Sequence, residues 1–414
     1  MNKLLLKYVC LFLVFSILLV SLSGCYNIYN IDHLAYAVAL GIDFGENNKL
    51  KISFQLSIPG GESSSSGSSS SSQSDSSIVN SIECSSIDSG INLLNSYISK
   101  EVNLSHCKVI VFSEEFAYSG LSESIYTLMN NVQVRPDCNV IISRCSAEYF
   151  LTNSKPVLAK LSARYYEVAP SSSDYTGYTE NITLSKFFSD LKDTSAQCYA
   201  ILGGVHTNTT KNVDSNKSPT ERDSDNKANE TLTDNKTNIE NMGLAVFFDD
   251  KLVGELTGIE AICHQIITSK LNICNISISN PFEEGKTITL RLRLCNKTKN
   301  NVKLTSNGPY ITSKVKIEAR ILTMDENMQY LNSKNVEILE KYTNSYLEAQ
   351  LYQYLYKISK EYNSDIDAFG KHALKNFKTW DDWVNYSWLE NFKDSFFDVS
   401  VETKVKSGYI LMET

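Results

Sequence analysis

Strict alternation of apolar and polar residues in the last third of the chain restricts the fold more than any other feature. Ile288, Leu290, Leu292 and Leu294 alternate with Thr289, Arg291 and Arg293. Ile311, Val315, Ile317, Ala319 and Ile321 alternate with Lys314, Lys316, Glu318 and Arg320, and Phe397, Val399, Val401 and Val405 repeat the pattern near the C-terminus. A period of two gives each strand one buried and one wet face. Between the second and third runs, Leu347, Leu351, Leu355, Ile358 and Tyr362 recur at spacings of three and four. That is a helix with a single apolar stripe, expected over 335–361. One-faced strands and a one-striped helix satisfy each other as a sheet covered on one side. The expected class is α+β, with mixed or antiparallel sheets backed by helices.

Alternation returns earlier. Leu50, Ile52, Phe54, Leu56 and Ile58 are separated by Lys, Ser and Gln, which predicts a half-buried strand. Ala35 to Phe44 is its hairpin partner across Gly45-Glu46-Asn47-Asn48. Further on, the pattern predicts helix 86–100, strand 108–113, helix 121–131 and strand 139–144. A helical stretch follows over 147–167. Strands at 243–248 and 252–256 then flank the turn Asp249-Asp250-Lys251, and a helix covers 258–268. Two low-complexity segments, a serine-rich loop at 62–77 and a polar loop at 206–240, cannot bury enough apolar surface to order themselves.

At the N-terminus, Lys3 and Lys7 precede a fifteen-residue apolar run, Tyr8 to Leu22, which ends in Leu22-Ser23-Gly24-Cys25. A charged start, an apolar middle and small residues at the end make a secretory signal peptide. Its ending is similar to a bacterial lipobox. A transmembrane span needs about 20 apolar residues, and this run is shorter. The expectation is cleavage before Cys25 and a thioether-linked diacylglyceryl group, with or without an N-acyl chain, on that residue. Two acyl chains anchor stably where one does not.

Without Lys3 and Lys7, 37 basic residues face 47 acidic ones, a net charge of −10. Such a balance argues against nucleic acid and against adhesion to anionic lipid through basic patches. Eight cysteines follow Cys25: Cys84, Cys107, Cys138, Cys145, Cys198, Cys263, Cys274 and Cys295. None form a C-x-x-C pair and no histidine stands at zinc-finger spacing, so free buried thiols are the simplest account.

Catalytic signatures are lacking: there is no G-x-S-x-G, H-E-x-x-H, P-loop or dinucleotide fingerprint. His33, His106, His206, His264 and His372 are scattered over unlike elements. The pair His106-Cys107 would face opposite sides of a strand. Glu283-Glu284 and Asp381-Asp382 read as solvated turns rather than as paired acids. Trp380, Trp383, Tyr386 and Trp388 form the densest aromatic group, which suits the cap of a core better than a ligand-stacking platform. No catalytic, cofactor or metal residue is expected, and Cys25 is the one site assigned a chemical fate.

Several blocks occur in a recognisable order. They are Gly24-Cys25-Tyr26-Asn27, Ile31 to Ala35, Gly41-Ile42-Asp43, Cys107 to Val111 with Ala117 and Gly120-Leu121, then Arg135, Val140 and Ala147-Glu148. Gly243 to Phe247 and Lys251 to Gly254 follow, and Trp388, Phe392, Val399 to Val405 and Gly408 close the series. Together these resemble the C-subunit lipoproteins of bacterial spore germinant receptors, the Ger(x)C family. Tyr26-Asn27 departs from the usual Trp-Asp, and asparagines stand where an arginine often precedes Arg135.

The resemblance implies about three α/β domains and a non-catalytic, lipid-anchored subunit on the inner membrane of the spore. It also implies larger A-type and polytopic B-type membrane subunits as partners. The expected division is a signal peptide at 1–24, an N-terminal α/β domain at 25–205, and the disordered polar loop at 206–240. A small middle domain at 241–280, with part of 170–205 as a candidate addition, precedes a C-terminal α+β domain at 281–414. A solute-binding lipoprotein and a cell-envelope hydrolase are the competing functions, and direct binding of a small molecule stays open.

Overall fold

The structure is a computed structural model that describes residues 2–21, 33–58, 77–154, 162–206, 224–231, 239–322 and 332–406. Cys25, most of the serine-rich loop and most of the 206–240 segment lie outside the described residues. Helix α1 (Asn2–Ser21) is exposed along residues 3–18. No helix among the described residues is long and apolar enough to cross a membrane.

Two sheets organise the rest. Strands β1 (Leu34–Phe44), β2 (Leu50–Ser57), β3 (Ser77–Cys84), β4 (Glu101–Asn103), β5 (Val109–Ser113), β6 (Asn139–Ser143), β7 (Tyr199–Val205), β8 (Ile239–Phe248) and β9 (Lys251–Leu256) form the first. Their order is β3-β2-β1-β5-β6-β7-β8-β9, with β4 beside the start of β1. The centre, β1-β5-β6-β7, is parallel, and the flanking pairs are antiparallel. The predicted hairpin forms in the register Phe44 to Leu50.

Strand β2 is buried on both faces, not half-buried as its alternation suggests. Helix α2 (Ile87–Tyr97) places Gly90 against Ile52 on one side, and Gly41 of β1 meets Ala147 and Leu151 of a second helix on the other. Ser53 and Gln55, two polar residues of the alternation, are therefore inside, and each has a partner. Ser53 Oγ lies 2.8 Å from Ser81 Oγ, and Gln55 donates to Ser77 and accepts from the Tyr166 hydroxyl at 2.7 Å. Buried polar groups with partners avoid the cost that excludes lone ones.

The remaining helices of this half are α3 (Glu114–Ser119), α4 (Ser122–Asn130), α5 (Ala147–Asn153), α6 (Ser162–Val168), α7 (Ser173–Thr176) and α8 (Leu184–Leu191). Helix α9 (Gly258–Ile267) starts in a capping box of Thr257 and Glu260 and is buried on nearly every side.

The second sheet comprises β10 (Cys274–Ser279), β11 (Thr287–Leu294), β12 (Lys299–Thr305), β13 (Gly308–Ile321) and β14 (Phe396–Lys406), in the order β10-β11-β13-β12. Strand β14 runs parallel to β13 from Tyr310 opposite Phe396 to Arg320 opposite Lys406. One face is buried and the other wet, as the alternation requires. Helix α10 (Ser333–Tyr356) buries Leu347, Leu351 and Leu355 and continues through a wide π-helical turn, Lys357–Glu361.

The segment 241–280, expected as a small middle domain, contributes to both sheets. Strands β8 and β9 extend the first, α9 lies where the two meet, and β10 opens the second. Within the polar loop, residues 224–231 are packed rather than disordered. Ala228 is fully buried, and Arg144 Nη1 donates to Ala228 O and Glu230 Oε1, both at 2.9 Å.

Candidate functional site: a buried charge cluster between the sheets

Helix α9 reads Gly-Ile-Glu-Ala-Ile-Cys-His-Gln-Ile-Ile, apolar around most of its circumference. A helix of that kind is covered on all sides, so a histidine in its middle must find polar partners inside the protein. His264 does so from a position with no exposure. Its Nδ1 lies 2.7 Å from Asp367 Oδ1, and its Nε2 lies 3.1 Å from Glu180 Oε2. The Tyr354 hydroxyl donates to the same Asp367 oxygen at 2.8 Å. On the other side, Lys270 donates to Glu180 and to the Tyr199 hydroxyl, which itself donates to Glu180 at 3.0 Å. Two cations and two carboxylates thus meet, and their formal charges cancel.

Burial works against protonation of His264, but the Asp367 and Glu180 carboxylates outweigh it and raise its pKa. Burial likewise opposes ionisation of Glu180, yet His264 and Lys270 hold its carboxyl down at about 2. Burial pushes the hydroxyls of Tyr199 and Tyr354 well above their ordinary value. The cluster is therefore an imidazole held between two carboxylates that favour its protonated form.

The segment after α10 threads between the sheets and carries a second buried acid, Asp365. Its oxygens accept from Phe369 N at 3.0 Å, Gly370 N at 2.8 Å and Trp388 Nε1 at 2.7 Å. Burial nevertheless raises its pKa to about 7. Along this segment, Ser364 Oγ donates to Phe247 O at 2.6 Å, Gln197 N donates to Asp365 O at 2.9 Å, and the Tyr362 hydroxyl donates to Glu255 O at 3.0 Å. One glycine makes this approach possible, and a second lets β8 lie close to β9. A Cβ on Gly254 would stand 2.2 Å from the Tyr362 ring, and one on Gly243, at φ +89°, would stand 2.0 Å from Leu256 O.

Beside the cluster a cleft of about 440 Å³ opens among Lys186, Tyr199, Lys270, Lys297, Asp367 and Lys371. Three of its lysines already hold carboxylates: Lys186 pairs with Asp190, Lys270 with Glu180 and Lys371 with Asp193.

The residues singled out from sequence are not gathered into one site. His106 is exposed and rests on the Tyr36 ring, while Cys107 is buried with its thiol on Val109 O. Glu283 pairs with Lys286 in the β10–β11 turn, and Asp382 closes a capping box with Thr379. Trp383 and Trp388 are buried and stacked at 6.1 Å, and Trp383 Nε1 donates to Thr194 at 3.0 Å, which makes them core. Trp380 is exposed. All eight cysteines are free thiols, and six of them are buried. In the sequence His264 is one of five scattered histidines. The usable signal was its place within an all-round apolar helix.

Comparison with known proteins matches the two halves that this junction joins. Residues 27–203 match the spore germination protein N-terminal domain, and residues 242–408 match the "spore germination B3/GerAC like, C-terminal" domain. The chain belongs to the Ger(x)C family. It is 20% identical over 396 residues to the putative spore germination protein YfkR of Bacillus subtilis (strain 168), covering 95% of each chain. The crystal structure of the GerBC protein aligns at 16% identity with a TM-score of 0.47, covering 88% of this chain and 96% of that one. In this member, the family's two domains meet at the β7–β8 pairing, Tyr199 opposite Val246. Gly243 and Gly254 belong to blocks that carry the resemblance: Gly254 makes room for Tyr362 at the junction, and Gly243 for the pairing of β8 with β9.

Proposed function

We propose that the chain is the lipoprotein C-subunit of a spore germinant receptor. It is held by acyl chains on Cys25 at the extracytoplasmic face of the spore inner membrane and docks there on A-type and B-type membrane subunits. The observation that carries this reading is the ordered match of both germination-family domains over almost the whole folded chain. The N-terminal run ending in Leu-Ser-Gly-Cys supports the anchor, because the thiol of Cys25 is the group a diacylglyceryl transfer needs. A non-catalytic role fits a cluster whose one imidazole is fully buried and doubly paired, since a general base must reach its substrate.

Replacing Cys25 by Ala tests the reading in sporulating cells. The variant is expected to fold, to leave the membrane fraction and to slow nutrient-triggered germination. Membrane retention with normal germination would overturn it. Co-purification from spore membranes tests the docking: receptor subunits should accompany the lipidated protein and be lost from the Cys25→Ala variant. Calorimetry of the lipid-free protein against amino acids and sugars separates this role from direct solute capture, for which the lysine-lined cleft offers one space.

A further inference from the structure

The wet face of the second sheet has the opposite charge to the chain as a whole. Strand β11 presents Arg291 and Arg293, β12 Lys299 and Lys303, β13 Lys314, Lys316 and Arg320, and β14 Lys404 and Lys406, all exposed. Three carboxylates share that face: Glu318, Asp398 and Glu402. Nine cations against three anions give it a charge of +6, in a chain whose net charge is −8.

Register places like charges side by side. Arg291 stands opposite Arg320, Lys299 opposite Lys314, and Arg320 opposite Lys406. Directly opposed like charges destabilise a sheet, so folding alone does not favour the arrangement. Internal neutralisation is partial. Glu318 pairs with Arg320 and Lys406, and Lys316 pairs with Glu402, whereas Lys299, Lys303, Lys314 and Lys404 make no ion pair among the described residues. At one end of the face Tyr310 and Phe396 lie opposite each other, both exposed. Aromatic rings of this kind suit the headgroup level of a bilayer.

We propose that this face is a second membrane contact, a basic platform that lies on anionic phospholipid headgroups. The proposal rests on the reading of Cys25 as the tether. Strand β1 opens at Leu34, nine residues after Cys25 and at most about 30 Å of extended chain away, so the body stays near the bilayer surface. A broad array of unpaired cations with an aromatic end matches a surface of repeating anions, and a polybasic patch is the usual second signal beside a lipid anchor. The net acidity that argues against such a patch is a property of the sum over the chain. This face departs from it.

The test uses the mature chain from Tyr26 onward without acyl groups. Residues 3–18 are exposed along their length, so removing the signal peptide takes nothing from either core. Co-sedimentation is measured with vesicles of phosphatidylcholine alone and with phosphatidylcholine containing phosphatidylglycerol. Binding is expected only with the anionic lipid, with loss in high salt. Reversing Arg291, Lys303 and Lys314 to Glu together should weaken it on the order of 100-fold or more. The triple variant should melt no lower than the parent, because Arg291 and Lys314 each stand opposite a like charge and Lys303 stands opposite Tyr310. Reversal of the exposed Lys49 on the first half should change nothing.

Binding to neither vesicle, equal binding to both, or anionic binding untouched by the triple variant would each overturn the proposal. So would salt-sensitive binding to polyglutamate or nucleic acid without binding to vesicles. Because the protein tested carries no lipid, failure here leaves the Cys25 anchor and the receptor role standing on their own tests.

Discussion

His264 carries its charge in a place where an isolated ion would be costly, and that makes it the residue with the clearest consequence. Its folded pKa is raised, so the stabilisation it gives is fully present below the unfolded value near 6.5 and fades as pH climbs through the folded value. Glu180 acts on the acid side. Its carboxyl titrates near 2 in the folded protein against an ordinary 4.5, so its contribution is present above 4.5 and is lost as pH falls toward 2. Asp365, raised from 3.8 to about 7, makes the folded state less favourable as pH rises across that interval. Substituting His264 with Leu leaves the buried Asp367 with the Tyr354 hydroxyl as its side-chain partner, while Glu180 keeps Lys270 and Tyr199, and should cost about 3–5 kcal/mol near pH 6. Urea unfolding at pH 6 and pH 9 would measure it. A loss below about 1 kcal/mol, or the same loss at both pH values, would contradict the paired imidazolium.

Strand β14 shows how one element depends on another. It is an edge strand, and α10 supplies a row of acceptors for its open N–H groups. Tyr352 takes Val399 N at 3.0 Å, Glu348 takes Val401 N at 2.9 Å, Asn344 takes Thr403 N at 2.8 Å, and Glu340 takes Val405 N at 2.9 Å. Acceptors four residues apart on the helix, about 6 Å, keep step with N–H groups two residues apart on the strand, about 6.6 Å. A bare edge of this length invites pairing with other chains, and here side chains close it. Replacing both Asn344 and Glu348 by Ala should cost about 1 kcal/mol per lost bond and increase concentration-dependent association. Denaturant titration and light scattering would report the two effects. An unchanged midpoint with no association would show that the ladder contributes nothing. The apolar stripe of this helix was readable from sequence. Its polar ladder was not, because Glu340, Asn344, Glu348 and Tyr352 look like an ordinary solvated face until the strand is beside them.

For the whole molecule, the two family domains share a continuous sheet at β7–β8, so neither half is complete without the other. Strand β7 is buried throughout, and removing β8 and β9 would bare its edge. Residues 26–206 produced alone should be insoluble, and co-expression with residues 207–414 should recover soluble, associated fragments. A soluble, cooperatively folding N-terminal fragment would refute that dependence.

By itself the sequence determined the α+β class, the hairpin at its start, the one-faced second sheet with its striped helix, and the family. All of these follow from local periodicity or from the order of short blocks. Only tertiary structure decided that β8 and β9 complete the first sheet, that β2 is covered on both faces, and that His264 meets Glu180 and Asp367. It also decided that nine cations collect on one face of an acidic chain. Each of these depends on which segments come together across long separations, and neither periodicity nor a charge total carries that information.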